Sequence, residues 1–170
     1  MTGERILLLA ACPGAVFTLA VWLHREWLAA WGMPLATAVE RMQDRCNIAR
    51  LPLAWVAWAG DAPAGMVSLV EDDLPLQPGR TCCLSSLYVV PPRRRQGLGS
   101  RLCQYAVAQA VTLGFGHPAL YTAGQESFYR RRGWTITTRT VIAGSDGPQL
   151  ASFMQIENAC EGHITVREAK

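Results

Sequence analysis

The stretch LSSLYVVPPRRRQGLGS at residues 84–100 constrains this chain more than any other part of it. Leu87, Tyr88, Val89 and Val90 are strand formers. Pro91 and Pro92 end the strand, because proline brings no N–H to a ladder. Arg93, Arg94 and Arg95 follow, and Gln96-Gly97-Leu98-Gly99-Ser100 opens a helix. Its apolar stripe is Leu98, Leu102, Ala106 and Ala110, with Cys103, Val107 and Val111 beside it and Gly114 placed as a C-cap. Glycines let a ligand approach the main chain. The first amides of a helix lack internal partners and lie at its positive end. A strand, a glycine turn and a helix start therefore make an anion site suited to phosphate or pyrophosphate, and the arginines add charge that pairs with more phosphate.

Other glycine motifs fit poorly. A Rossmann fingerprint needs a third glycine where Leu102 stands, and no Walker A pattern occurs. The plain alternative is a surface arginine run ahead of an ordinary helix. Against it, Arg94-Arg95-Gln96-Gly97-Leu98-Gly99 resembles the [QR]-x-x-G-x-[GA] signature of the Gcn5-related N-acetyltransferases. Farther on, Phe128-Tyr129-Arg130-Arg131-Arg132-Gly133-Trp134 is similar to that family's F-Y-x-x-x-G-[FWY] block. The two blocks stand in the family's order, and the resemblance can cover nearly the whole chain.

With 170 residues, half of them hydrophobic and 17% charged, the chain reads as one domain over 1–170 with a sizeable core. A net charge of +3 gives no reason to expect nucleic acid. Cys12, Cys46, Cys82, Cys83, Cys103 and Cys160 form no C-x-x-C pair and read as reduced, mostly buried thiols of a cytoplasmic protein. The adjacent Cys82 and Cys83 should point to opposite faces of a strand. His24, His117 and His163 are scattered, so no metal site is expected. Residues 6–23 are uncharged and approach the length of a membrane span, but Pro13-Gly14 breaks the run. A first strand at 5–10 and a helix from about 15 to 31 explain it better than a span, a signal peptide or the lipoprotein-like box ending at Cys12.

In that helix Leu19, Leu23, Trp27 and Trp31 recur at every fourth position, while His24, Arg25 and Glu26 must face solvent or a cleft. A more polar helix at about 35–47 carries Glu40, Arg41, Asp44 and Arg45. Segments 53–59 and 64–70 read as a hairpin turned by Gly60-Asp61-Ala62-Pro63. The second strand ends in Glu71-Asp72-Asp73, ahead of a loop at 74–80. A short strand at 119–122, a short helix at 124–132 and an antiparallel pair at 134–142 and 150–156 follow. After about residue 157 only 163–166 suggests a further edge strand. The order β-α-α-β-β-β-α-β-α-β-β implies an α/β (α+β) fold, a mixed sheet with helices on both faces.

The resemblance implies more. The fold would be the family's three-layer domain, mostly antiparallel, with the fourth and fifth strands splayed to admit a cofactor. The activity would be transfer of the acetyl group of acetyl-CoA to a primary amine, by direct attack in a ternary complex. Arg94, Arg95, Gln96, Gly97, Leu98, Gly99 and Ser100 would hold the CoA pyrophosphate, mainly through main-chain amides. Leu87, Tyr88 and Val89 would pair with the pantetheine and polarise the acetyl carbonyl. Tyr129 would be the general acid for the departing thiolate, against a reading as a packed aromatic. Glu71 is the candidate base. Glu26, Trp27 and Asp72 are candidate acceptor contacts, with solvated carboxylates and a core tryptophan as the alternative. The sequence departs from the family where Ala123 and Glu126 replace an asparagine and a small residue, so a cofactor contact made by that asparagine is either lost or taken over by Thr122 or Gln125. Carboxylates near the groove point to a cationic small molecule, with a peptide N-terminus as second choice and a non-catalytic acyl-CoA-binding module as the other class. Neither membrane nor nucleic acid is an expected partner, and the protein would be a monomer or homodimer.

Overall fold

Alternation along the second strand explains why the sheet is covered twice. Leu53, Trp55 and Ala57 pack into one apolar cluster, Ala54 and Val56 into another, and all five are buried. A strand that is apolar on both faces needs cover on both. The structure is a computed structural model and describes residues 4–71, 81–144 and 147–156. Its elements are β1 (Glu4–Leu8), α1 (Val16–Leu23), α2 (Leu35–Asp44), β2 (Leu53–Ala59), β3 (Ala62–Glu71), β4 (Cys82–Val89), α3 (Leu98–Thr112), β5 (Ala119–Thr122), α4 (Glu126–Arg130), β6 (Trp134–Gly144) and β7 (Gly147–Ile156). The seven strands form one sheet in the order β1-β2-β3-β4-β5-β7-β6. Among the described residues only β4 and β5 run parallel, and they pair at Cys83 and Ala119 alone. This is the mixed sheet expected, with its central strands splayed.

The helix α3 covers one face. Leu98, Leu102, Cys103, Ala106 and Ala110 are buried there, against Leu69, Leu84 and Trp134. At its end Gly114, at φ +88°, lets Gly114 N bond Val111 O and Phe115 N bond Ala110 O, a Schellman cap. The helices α1 and α2 cover the other face through Leu19, Leu23, Leu28, Ala38 and Met42, packed on Val56 and Met66. Cys82 belongs to the α3-side cluster and Cys83 to a separate one with Phe153, on opposite faces as their adjacency requires.

The sequence suggests one helix over 15–31, but the structure breaks it into three. The α-helix ends at Leu23, a π turn runs His24–Leu28, and a 3₁₀ turn runs Ala29–Trp31. A π turn holds one residue more than an α turn. The buried stripe therefore continues Leu19, Leu23, Leu28 in place of Leu19, Leu23, Trp27. Trp27 is only half-buried and Trp31 is exposed. Gly32 at φ +68° closes the element with a second Schellman cap, Gly32 N to Ala29 O and Met33 N to Leu28 O. The first strand stops at Leu8, where a 3₁₀ turn Leu9–Ala11 takes over. The helix α2 stops at Asp44, whose carbonyl accepts from the Asn47 side chain at 2.7 Å. The hairpin β2–β3 turns on Gly60-Asp61 alone. Among the described residues, no helix is long and apolar enough to cross a membrane. Asp72, Asp73, the loop at 74–80, Cys160 and the strand suggested at 163–166 lie outside the described residues.

Candidate active site

The glycine block folds as its composition dictates. After β4, Pro91–Arg93 forms a 3₁₀ turn, and two residues then take positive φ, Arg95 at +62° and Gly97 at +84°. Side chains hold the loop in this shape. Arg94 Nε donates to Val89 O at 2.9 Å and its guanidinium lies 5.6 Å from the Tyr88 ring centroid. Gln96 Nε2 donates to Pro92 O at 2.9 Å. Gly97 is the N-cap of α3; no side chain caps that helix, and its first turn holds no acidic residue. The first turn of α3 thus brings no carboxylate of its own to the first amides, and the loop fits an anion such as a pyrophosphate. Gly99 lies 3.6 Å, measured from its ideal Cβ, from the Phe128 ring of α4. The Ser100 hydroxyl accepts from Arg132, which also donates to Phe128 O and stacks 3.6 Å from that ring. Arg132 ties α4 to the start of α3, a link the sequence pattern does not show.

The strand β4 is bulged ahead of the loop. Met66 pairs with Tyr88 and Ser68 with Ser85, so Val67 faces both Ser86 and Leu87. Ser86 sits at φ +53°, a conformation non-glycine residues rarely adopt. A bulge leaves its extra residue outside the ladder. Because β5 pairs with β4 only at Cys83, the other edge of β4 beyond that point has no strand beside it among the described residues.

A cleft of about 340 Å³ opens along this part of β4. Ser85, Ser86 and Leu87 form its floor; Glu26 and Trp27 come from the π turn, Trp31 from the next turn, Arg41 from α2 and Arg45 from its C-cap. Thr122, Ala123 and Gln125 line it beside Tyr129, and Ile142 and Gln149 close it from β6 and β7. Glu26 and Trp27, singled out in the sequence, are therefore together at one cleft with Leu87 and Tyr129. π turns recur at functional sites, and this one turns Trp27 away from the core stripe.

Tyr129 is 9% exposed, with its ring edge-on to Phe128 and Trp134 at centroid distances of 5.0 and 6.0 Å. Burial pushes its phenol well above the usual value, the nearby Cys103 adds to this, and Arg132 opposes it. Glu126, where a small residue was expected, accepts from the buried Ser152 Oγ at 3.1 Å. Hydrogen bonds from main-chain amides at the start of α4 hold its carboxyl below the usual range.

Glu71 does not reach the cleft. It ends β3 opposite Cys82. Strand alternation puts it on the side of Val67 and Leu69, which pack toward α3, whereas Ser68 and the cleft lie on the other face. Its charge is felt by Cys82, whose thiol burial pushes up to about 12 with smaller contributions from Cys83 and Glu71. Arg45 is the residue the sequence reading missed. It is 5% exposed, and Nη1 donates to Ser68 Oγ and Ser86 Oγ, both at 3.0 Å. A signal was present: Ala38, Met42 and Arg45 follow one another at helical spacing, and the first two are buried.

The Acetyltransferase (GNAT) family model matches residues 17–134. The chain belongs to this family. It is an acetyl-CoA-dependent N-acetyltransferase by that membership. No curated protein matches the chain. Solved structures match it over most of its length. One is an aminoglycoside 6'-N-acetyltransferase complexed with coenzyme A, at 16% identity and TM-score 0.71, covering 91% of this chain and 97% of that one. Another is the ribosomal-protein-S18-alanine N-acetyltransferase from Escherichia coli, at 18% identity and TM-score 0.66, covering 95% and 99%. A third is an acetyltransferase of the GNAT family from Streptococcus pneumoniae, at 14% identity and TM-score 0.67, covering 90% and 98%. At these identities they share the fold with this chain.

Proposed function

We propose that the protein moves an acetyl group directly from acetyl-CoA to a small primary amine held in the cleft. The observation that carries this reading is that the bulged edge of β4 and Tyr129 line one cleft. The uncapped start of α3 at Gly97 follows β4 in the chain and supports the cofactor half of the reading. Acetyl-CoA supplies the acetyl group as an activated thioester. In this reading the first amides of α3 hold the pyrophosphate with Arg95, while Gln96 and Arg94 keep the loop in shape. The main chain of Leu87, Tyr88 and Val89 runs beside the pantetheine, and the amide freed by the bulge at Leu87 polarises the carbonyl. Tyr129 gives its proton to the departing sulfur.

The acceptor enters between Trp27, Trp31 and Gln149. The limited volume, walled on two sides by separate elements, favours a small molecule over a peptide chain. Glu26 is the carboxylate on the wall, and in this reading it holds the ammonium and passes its proton to solvent. Glu71, on the other face, takes no part, and Asp72 remains the second acceptor contact proposed from the sequence.

Gly97→Asp tests the cofactor half. A carboxylate there adds strain at φ +84° and repels a pyrophosphate. Calorimetry should show acetyl-CoA binding lost, while Arg95→Ala weakens it less. Undiminished affinity in Gly97→Asp would remove the loop from the cofactor site. A panel of amines, read by mass detection of the acetylated product, tests the acceptor half. Acetylation confined to peptide N-termini would overturn the small-molecule reading.

A further inference from the structure

Arg45 has no assigned part in acetyl transfer, yet it is bonded to the residue that shapes the reactive strand. Its guanidinium comes from the C-cap of α2, crosses to the sheet and is buried. One nitrogen, Nη1, spans two strands by donating to Ser68 Oγ on β3 and Ser86 Oγ on β4. Ser85 Oγ lies 3.2 Å from Ser86 Oγ and extends the chain of contacts. Ser68 is fully buried and pairs with Ser85, just before the register slips. Ser86 is the residue at φ +53°. A serine in the left-handed region persists only where its surroundings hold it there. The alternative to the bulge is a flat ladder, in which the extra residue would rejoin the pairing and turn the following side chains over.

We propose that Arg45 is a positioning residue for the acetyl transfer: it clamps Ser86 in its left-handed conformation and so fixes the β4 bulge that presents the Leu87 amide to the thioester carbonyl. This rests on the reading of β4 given under the proposed function. Burial strengthens the clamp, because a buried charge-assisted hydrogen bond is both stronger and harder to exchange for water. It also links two parts of the cleft. The helix that contributes Arg41 to the acceptor wall ends in the residue that sets the carbonyl-polarising strand.

The test uses acetyl-CoA labelled with ¹³C at the thioester carbonyl and isotope-edited infrared spectroscopy of the bound complex. In the wild-type protein a hydrogen-bonded, polarised carbonyl should absorb at lower frequency than free acetyl-CoA. In Arg45→Met and in Ser86→Ala that shift should shrink together. Removal of one preorganised donor lowers kcat by about 10²- to 10³-fold, and a misplaced donor should approach the low end of that range. Acetyl-CoA affinity should change by less than the turnover does. Glycine takes positive φ without strain. Adding Ser86→Gly to Arg45→Met should therefore restore the carbonyl shift and a large part of kcat, a recovery that lost packing around Arg45 would not give. Ser86→Ala carries the test if Arg45→Met does not fold. A wild-type carbonyl shift retained in both single variants overturns the positioning role alone. No shift in the wild-type complex overturns the reading of β4, and the positioning role falls with it.

Discussion

Tyr129 shows what burial does to a single group. Its phenol is shut between Phe128 and Trp134, and loss of solvent raises its pKa above the ordinary value of 10.0, with Cys103 adding and Arg132 opposing. A raised phenol is a poorer acid in water, but it keeps its proton through the whole neutral and mildly alkaline range. In the proposed role it would thus be present as a donor whenever a thiolate leaves. Acetyl transfer should accordingly rise with pH as the acceptor amine deprotonates, with no falling limb from Tyr129 below about pH 10. Tyr129→Phe keeps the ring and removes the proton. General-acid contributions run to roughly 10²- to 10⁴-fold, and the low end is expected because a thiolate leaves readily without help. Acetyl-CoA affinity and melting temperature should stay near wild type. Single-turnover rates with a true acceptor check this, and an unchanged rate would reduce Tyr129 to a packing residue.

Among the elements, β3, β4 and α3 meet most tightly at Gly65. A Cβ there would lie 2.7 Å from Tyr88 O and 3.0 Å from Leu102 Cδ1. The first contact is with backbone and cannot relax by a rotamer change. Gly65→Ala should push β4 away from β3 just past the bulge, with a loss of about 1–3 kcal/mol on urea unfolding. Its acetyl-CoA affinity should fall although the residue touches no part of the proposed pyrophosphate loop. Wild-type stability in this variant would mean the strands separate more easily than their packing implies. Element order and the α3 stripe were legible in the sequence because they rest on local periodicity, which Leu98, Leu102, Ala106 and Ala110 display without help from distant residues. The phase change at the π turn was not legible. Trp27 and Leu28 are both apolar, and which one faces the core depends on a single extra residue in the turn. The β4 bulge was hidden for a related reason: Ser86 and Leu87 share one partner only because of the register β3 imposes. Glu71 and Arg45 exchanged expectations. A carboxylate at a strand end looked available to the cleft but alternates to the other face, while an arginine grouped with surface charges is buried against Ser68. Local sequence placed the end of β4 and the start of α3 at Gly97, and of the residues singled out as acceptor contacts Glu26 and Trp27 line the cleft.

At the scale of the whole molecule, the sheet is nearly two sheets. With β4 and β5 paired only at Cys83 and Ala119, the set β1–β4 and the set β5–β7 are joined mainly by what packs across them. The cluster under α3 does much of this, since it holds Leu69 and Leu84 from one side together with Leu120, Trp134 and Met154 from the other. Cys103 sits in that cluster, and burial pushes its thiol up to about 11 from an ordinary 9.0, against smaller lowering by the Trp134 indole N–H and the Arg132 charge. The consequence for stability has a definite sign. Below pH 9 the thiol is neutral in both folded and unfolded chains and contributes no pH dependence. Between pH 9 and about 11 the unfolded chain has lost this proton while the folded one keeps it, so stability falls as pH rises. Each such group contributes a slope of about 1.4 kcal/mol per pH unit within its window. Cys82, raised from 9.0 to about 12, acts in the same direction. Urea unfolding midpoints measured from pH 7.5 to 10.5 should therefore decline on the alkaline side. Cys103→Ala should start lower at pH 7.5, because a small cavity replaces the sulfur, but should decline less steeply above pH 9. Parallel curves for the two proteins would show that the Cys103 thiol ionises as easily in the folded protein as out of it. The contact between the two halves of the sheet would then be open to water at α3.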